Sequence, residues 1–321
     1  MQKDLVWHAK PANGAPSILI GDDDYHSKGR RVLSHAFSEK ALAYQEPRLL
    51  VERLREIKAK IGEAQDMTKW YNWTTFDVIA DLIFGEPFAS FKTLQHTRMM
   101  THRTTRWARS RISYIFNNYP WSNSVIQRLI PGDSTRKRKD FQGWVHTQVR
   151  KRIERGTQRP AFMTQILANN GARDFALSDE RIDSNANLML VAGSETTATL
   201  LSGVTYCLLV RPDKHEKLVQ DIRGRFEEYS DITLAAANEY PYLIAGTAVS
   251  VSHYPAYHSE TNFKDADDYI PEGSVPDQAK YAEDERSAWQ PFSFGPRNCL
   301  GKNWGKNLAY AEMRLVLAKV L

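Results

Sequence analysis

The sequence predicts a mainly α-helical protein with a small β part, and three observations lead there. Apolar residues recur at helical spacing through Ala41–Lys60, Tyr71–Phe84 and on into a mixed segment around Phe91–Asn117, almost without interruption. Residues Ser178 to Val210 read as one long, largely apolar helix: Ser178-Asp179-Glu180-Arg181 supplies an N-cap and an acidic first turn, and Pro212 lies just past the end. The last twenty residues repeat the pattern. Leu308, Ala311, Leu315, Ala318, Val320 and Leu321 form an apolar face, with Lys302, Lys306, Glu312 and Arg314 between them.

Composition bounds the possibilities. The chain has 321 residues, 42% hydrophobic and 25% charged, enough for one large or two medium globular domains that bury a core around a cofactor. Lys+Arg 43 against Asp+Glu 38 leaves a formal charge of +5, a mild excess that suits an acidic protein partner or a lipid surface and does not demand nucleic acid. The two cysteines, Cys207 and Cys299, lie far apart without Cys-x-x-Cys spacing, which argues against a disulfide scaffold or zinc ribbon and for a reducing compartment. No stretch approaches the ~18–20 consecutive apolar residues of a membrane span. The start, Met1-Gln2-Lys3-Asp4-Leu5, lacks the apolar core of a signal peptide. No anchor of its own is therefore expected.

In order, residues 1–21 carry Pro11, Gly14, Pro16 and Gly21 and read as an extended segment with one short strand, Ser17–Ile20. Asp22-Asp23-Asp24 caps a helix by placing negative charge at its positive end. That helix carries His26 and Arg30 at i, i+4 on one face, where Lys28 and Arg31 make a solvated basic face the plain alternative. Further on, Gly85 and Pro87 stop a helix. The runs Arg136–Lys139 and Arg150–Arg152 read as a solvated helix face, because no nucleic-acid recognition fold accompanies them. No internal repeat or low-complexity linker is present.

Two places break the local rules. Inside the long helix, Ala192-Gly193-Ser194-Glu195-Thr196-Thr197 sets glycine, serine, a carboxylate and two β-branched hydroxyls among apolar residues. A helix interrupted in this way usually serves a ligand or water. A kink at a packing contact would account for Gly193, which costs roughly 1 kcal/mol against alanine, but not for the Glu195-Thr196 pair. Near the end, Cys299 sits in the loop Phe292-Ser293-Phe294-Gly295-Pro296-Arg297-Asn298-Cys299-Leu300-Gly301, at or just before a helix N-terminus that favours thiolate over thiol. Gly295 and Gly301 admit a tight turn and a bulky planar ligand, Arg297 offers a cationic fork to a carboxylate, and Phe292 and Phe294 can shield the sulfur from water. A buried structural cysteine is the plain alternative, and the better reading for Cys207.

The pattern Phe-x-x-Gly-x-Arg-x-Cys-x-Gly resembles the haem-thiolate signature of cytochromes P450, and Ala192–Thr197 resembles the oxygen-activation motif of their I helix, in the right order. His26 to Ser38 looks like the C helix of fungal members, whose His-x-x-x-Arg pair binds the haem propionates. The resemblance implies a cytochrome P450 fold and a haem cofactor. Cys299 would be the axial iron ligand, and Phe292 and Gly301 would shape its loop. Arg297, His26 and Arg30 would hold the propionates. Thr196 would donate a hydrogen bond to dioxygen and Glu195 would relay protons to it. Asn187, Leu188 and Val191 would face the substrate. The nearest likeness is to fungal enzymes of the benzoate para-hydroxylase and isotrichodermin hydroxylase kind. It implies monooxygenation of a small organic substrate in secondary metabolism or mycotoxin biosynthesis, with NADPH electrons delivered by NADPH–cytochrome P450 reductase. Full-length relatives sit at the endoplasmic reticulum membrane; a chain without an anchor would be cytoplasmic.

The resemblance also implies a gap. The family carries a Glu-x-x-Arg pair on a K helix before the cysteine loop. Here Glu52–Arg55 comes too early and Glu283–Arg286 too late, although Arg286 suits the arginine of the following meander. Glu239–Leu243 resembles the lead-in to the K helix, whereas Ile244–Val251 resembles a strand well downstream of it. Residues 1–321 are therefore expected to form a partial domain, C helix to L helix, lacking the N-terminal region, the K helix and the C-terminal sheet, with an internal deletion near 243–244. The alternative from another class is a non-catalytic remnant that binds haem poorly or not at all.

Overall fold

The computed structural model of the chain describes residues 11, 13–34, 64–85, 115, 117–119, 121, 132–155, 162–170, 175–226, 228, 231–232, 257–268, 279–290, 292, 298–299, 313–318 and 320. Its helices run α1 (Asp23–Ser34), α2 (Met67–Phe84), α3 (Gly132–Arg155), α4 (Phe162–Asn169), α5 (Asp179–Val210) and α6 (Pro212–Arg225). Two 3₁₀ turns, Ala279–Tyr281 and Arg286–Ala288, and a helical run at 313–318 follow. No strand occurs among the described residues, so what is described is mainly α.

The strand expected at Ser17–Ile20 is corrected. The chain winds into a turn there, the amides of Ile20 and Gly21 both donating to the Ser17 carbonyl at 3.1 and 3.0 Å. The Ile18 amide donates to the Asn185 side chain at 2.8 Å, so no neighbouring strand is needed to satisfy it. The expected helix at 41–60, the segment 244–251 and the proposed break near 243–244 lie outside the described residues.

The chain gathers into two compact units. One combines Met1–Ala41 with Phe76–Gly193, the other Leu42–Thr75 with Ser194–Leu321. In the first, Asp22 caps α1 as expected, its Oδ1 accepting from the Tyr25 amide at 2.7 Å. Tyr25, Gly29, Val32 and Leu33 form the buried face of α1, which packs on α4, and α4 packs on α3. Phe84 meets Trp144 of α3 edge-on at 5.9 Å, and Phe141 stacks on the same indole at 6.0 Å. Arg136 and Lys139 are exposed, as a solvated face requires. The second basic run is not such a face. Arg150 pairs with Asp179 and Asp183 of α5, while Arg152 is buried and donates to Thr164 of α4. A guanidinium on a long stem can reach a partner across a helix interface, and these two do.

In the second unit, α6 starts on Pro212, whose missing N–H costs nothing in a first turn, and buries Leu218 and Ile222. Residues 257–268 and 279–290 are cross-linked to each other. The Glu285 amide donates to the Asn262 carbonyl at 2.7 Å, and the Lys264 amide to Asp284 Oδ1 at 2.9 Å. Lys280 Nζ pairs with Asp265 Oδ2 at 2.7 Å, and the Gln290 amide donates to the Tyr257 hydroxyl at 3.0 Å. Residues 313–318 are all buried, Arg314 included. That corrects its expected place on a polar face: the aliphatic stem of an arginine packs as an apolar side chain does.

Candidate functional site

The long helix sets the frame. Ser178 caps α5 as the sequence predicts, with the Ile182 amide on its carbonyl at 2.9 Å. The single long helix read from the sequence is borne out: α5 stays helical through Ala192–Thr197. The motif is absorbed by division between faces. Ser194, Thr197 and Ala198 are buried, whereas Ala192 and Thr196 are exposed and Glu195 and Thr199 half-buried. The Glu195-Thr196 pair thus projects from an open stripe, and Asn187, Leu188 and Val191, one to two turns earlier, are each half-buried.

Two side chains of α2 press on the middle of α5. A Cβ built on Gly193 would lie 2.6 Å from both Cδ1 and Cγ1 of Ile79, so the glycine is required by close approach. One turn earlier on α2, the Thr75 hydroxyl reaches the Ser194 carbonyl at 3.0 Å. Farther along, the Tyr71 and Thr205 hydroxyls are hydrogen-bonded at 2.8 Å, and burial pushes the Tyr71 phenol up, so it stays neutral. These contacts escape a reading of the sequence. Their one visible signal is Thr74-Thr75, a pair of β-branched hydroxyls inside a helical stretch.

The cysteine loop is closed by its own backbone. The Cys299 amide donates to the Phe292 carbonyl at 3.0 Å, which brings the two ends of the loop together. Phe292 is half-buried and the Cys299 thiol is exposed. Cys207, on α5, is instead half-buried, and burial pushes its thiol up, as suits a structural residue. Arg297 and Gly301 lie outside the described residues. On α1, His26 and Arg30 are both half-buried at i, i+4. The predicted residues thus fall into three local groups. His26 with Arg30 belongs to the first unit, and Glu195 with Thr196 and Phe292 with Cys299 to the second.

The cysteine loop by itself suits a haem: the exposed Cys299 sulfur is a soft donor of the kind that haem iron takes. Among the described residues, no group of three or more His, Cys, Asp or Glu is placed to hold a bare metal ion.

The sequence model of the family described as cytochrome P450 matches residues 8–245 and 243–321. The chain belongs to the cytochrome P450 family. Cytochrome P450 monooxygenase traB of Penicillium crustosum is 46% identical over 364 aligned positions, which take in 100% of this chain and 71% of that protein. The trichothecene C-4 hydroxylase of Trichoderma arundinaceum is 33% identical, over 95% of this chain and 70% of its own. The averantin hydroxylase of Dothistroma septosporum is also 33% identical, over 96% and 65%. This cytochrome P450 is thus similar along its whole length to fungal monooxygenases and hydroxylases. The family implies a haem-dependent enzyme that takes electrons from a reductase and acts on a small molecule. No helix among the described residues is long and apolar enough to cross a membrane.

Proposed function

We propose that this cytochrome P450 is a haem-thiolate monooxygenase that hydroxylates a small organic substrate in fungal secondary metabolism. The observation that carries the reading is the exposed Cys299 thiol in its backbone-closed loop, inside a family match that takes in residues 8–321 of the chain. Cys299 would hold the haem iron, His26, Arg30 and Arg297 its propionates, and Phe292 and Gly301 would shape the pocket for the sulfur. When bound, the haem supplies oxygen activation and insertion into a C–H bond, favoured by electron donation from the thiolate. The chain supplies protons and position. Glu195, half-buried on the open stripe of α5, takes a proton from solvent and passes it toward the site, and the exposed Thr196 hydroxyl donates the final hydrogen bond. Asn187, Leu188 and Val191 orient the substrate above it. The names of the Trichoderma and Dothistroma relatives favour hydroxylation of a natural product. We place electron delivery with NADPH–cytochrome P450 reductase and the site of action at the endoplasmic reticulum membrane.

The test is the reduced, carbon-monoxide-bound difference spectrum of the chain expressed with haem supplied. A red-shifted Soret band of the thiolate type, abolished in Cys299→Ala, is the expected outcome. A histidine-like band, or no haem uptake, overturns the assignment.

A second reading, a remnant that holds haem poorly, is favoured by one specific observation. The family match comes in two pieces that meet at 243–245, and the Penicillium crustosum alignment runs to 364 positions against the 321 residues here. Positions of the relative therefore face no residue of this chain. An internal break at 243–244 would remove the K-helix Glu-x-x-Arg brace.

A further inference from the structure

We infer that Thr75 is a positioning residue for the Glu195-Thr196 pair: its hydroxyl holds the peptide that joins Ser194 to Glu195. The inference rests on the proton-delivery reading of that pair and goes beyond it, because Thr75 lies on α2, far from the motif in sequence.

The geometry is local and buried. Thr75 is fully buried, and Ser194 is 5% exposed. Thr75 Oγ1 lies 2.9 Å from the Tyr71 carbonyl of its own helix, 3.3 Å from the Asn72 carbonyl and 3.0 Å from the Ser194 carbonyl of α5. A threonine hydroxyl has one proton, so α2 and α5 share it. A valine would fill the same space, and burying a hydroxyl is unfavourable unless it is hydrogen-bonded; here the bond that leaves its own helix ends on α5.

What it touches gives the bond its consequence. A peptide is planar, so fixing the tilt of the Ser194 carbonyl fixes the Glu195 amide and the Cα from which its carboxylate departs. An extra donor on a helical carbonyl also tips it away from its own ladder, a recognised cause of local bending. One turn along α2, Ile79 occupies the space that Gly193 leaves empty, so residues 193 and 194 are both seated on α2. Ser194 and Thr197 face inward, and Glu195 and Thr196 face the open stripe. Thr75 thereby holds from behind the one turn of α5 that carries the proton-delivering groups.

The experiment compares the full chain with its Thr75→Val, Thr75→Ser and Tyr71→Phe variants by backbone amide exchange over 194–199, a readout that needs no turnover. Loss of one hydrogen bond predicts exchange about five-fold faster in T75V. T75S should restore it. Y71F removes a different hydroxyl bond between α2 and α5, the one to Thr205, and should leave 194–199 unchanged. Thr75→Ala repeats the test should T75V fail to fold. On haem-loaded chains, the C–O stretching band with carbon monoxide as probe should move in T75V in the direction seen in Thr196→Ala, and return in T75S. Unchanged exchange in T75V overturns the clamp. Faster exchange with a band that T196A moves and T75V does not overturns the positioning role. A band that neither moves withdraws the proton-delivery reading, and with it the functional half of the inference.

Discussion

Asn185 has every polar atom of its side chain committed. Its Nδ2 donates to the Tyr25 hydroxyl and to the Arg181 carbonyl, each at 2.8 Å, and its Oδ1 accepts from the Ile18 amide at 2.8 Å. Beside it, Ser184 donates to the Ala15 carbonyl at 2.9 Å, and the Arg181 guanidinium lies 4.3 Å above the Tyr25 ring. One side chain on α5 therefore fixes both the segment before α1 and the first turn of α1, next to His26. Substituting Asn185→Ala strands a buried amide and a buried phenol. The expected loss is about 2–4 kcal/mol of unfolding free energy, read from urea denaturation. Asn185→Asp keeps the acceptor for the Ile18 amide but turns a buried charge, with no donor, toward the Arg181 carbonyl, so it should not fully rescue.

At the scale of elements, the α2–α5 contact makes a prediction that helix propensity alone would get backwards. Gly193→Ala gains about 1 kcal/mol of propensity, but its Cβ would meet Ile79 at 2.6 Å, and overpacking of this kind costs about 1–3 kcal/mol. The variant should be less stable than the parent by thermal unfolding, and Gly193→Ala/Ile79→Ala should recover part of the loss, because the two residues couple directly. The sequence showed that 192–197 was special but not what makes it so. An apolar helix broken by Gly, Ser and Glu is visible in one dimension, whereas the partners, Ile79 and Thr75, lie over a hundred positions away. Caps and stops were legible, as at Asp22, Ser178 and Gly85, because their chemistry is local. Ser17–Ile20 was misread because its apolar run says nothing of where the Ile18 amide finds an acceptor. The Asp265–Lys280 pair yields a pH prediction. The Lys280 hydrogen bond holds the Asp265 carboxyl below its usual range, and the same bond pushes the Lys280 ammonium up. A depressed carboxylate stabilises above its unfolded pKa, and that stabilisation is lost as pH falls through the folded value. A raised ammonium stabilises below its unfolded pKa, and that stabilisation is lost only as pH rises through the folded value. Amide protection over 264–268 should therefore hold across the neutral range and fail in acid below the ordinary aspartate range. Asp265→Asn should remove the acid limb.

For the whole molecule, two units each bury a core of their own, yet the family match is made in two pieces that meet at 243–245. If the positions that the Penicillium crustosum relative holds there contain the Glu-x-x-Arg brace, this chain lacks a buried ion pair and the packing around it. Breaking such a pair costs about 3–5 kcal/mol, a large share of the 5–15 kcal/mol that keeps a domain folded. The shortfall falls on haem retention, since a cofactor that binds only the folded state draws on the same free energy. A chimera carrying the relative's stretch between Leu243 and Ile244 should melt about 10 °C higher. It should also lose haem to an apo-globin acceptor more slowly than the parent. A chimera with unchanged melting and unchanged haem loss would mean that the 321 residues already hold what the cofactor needs.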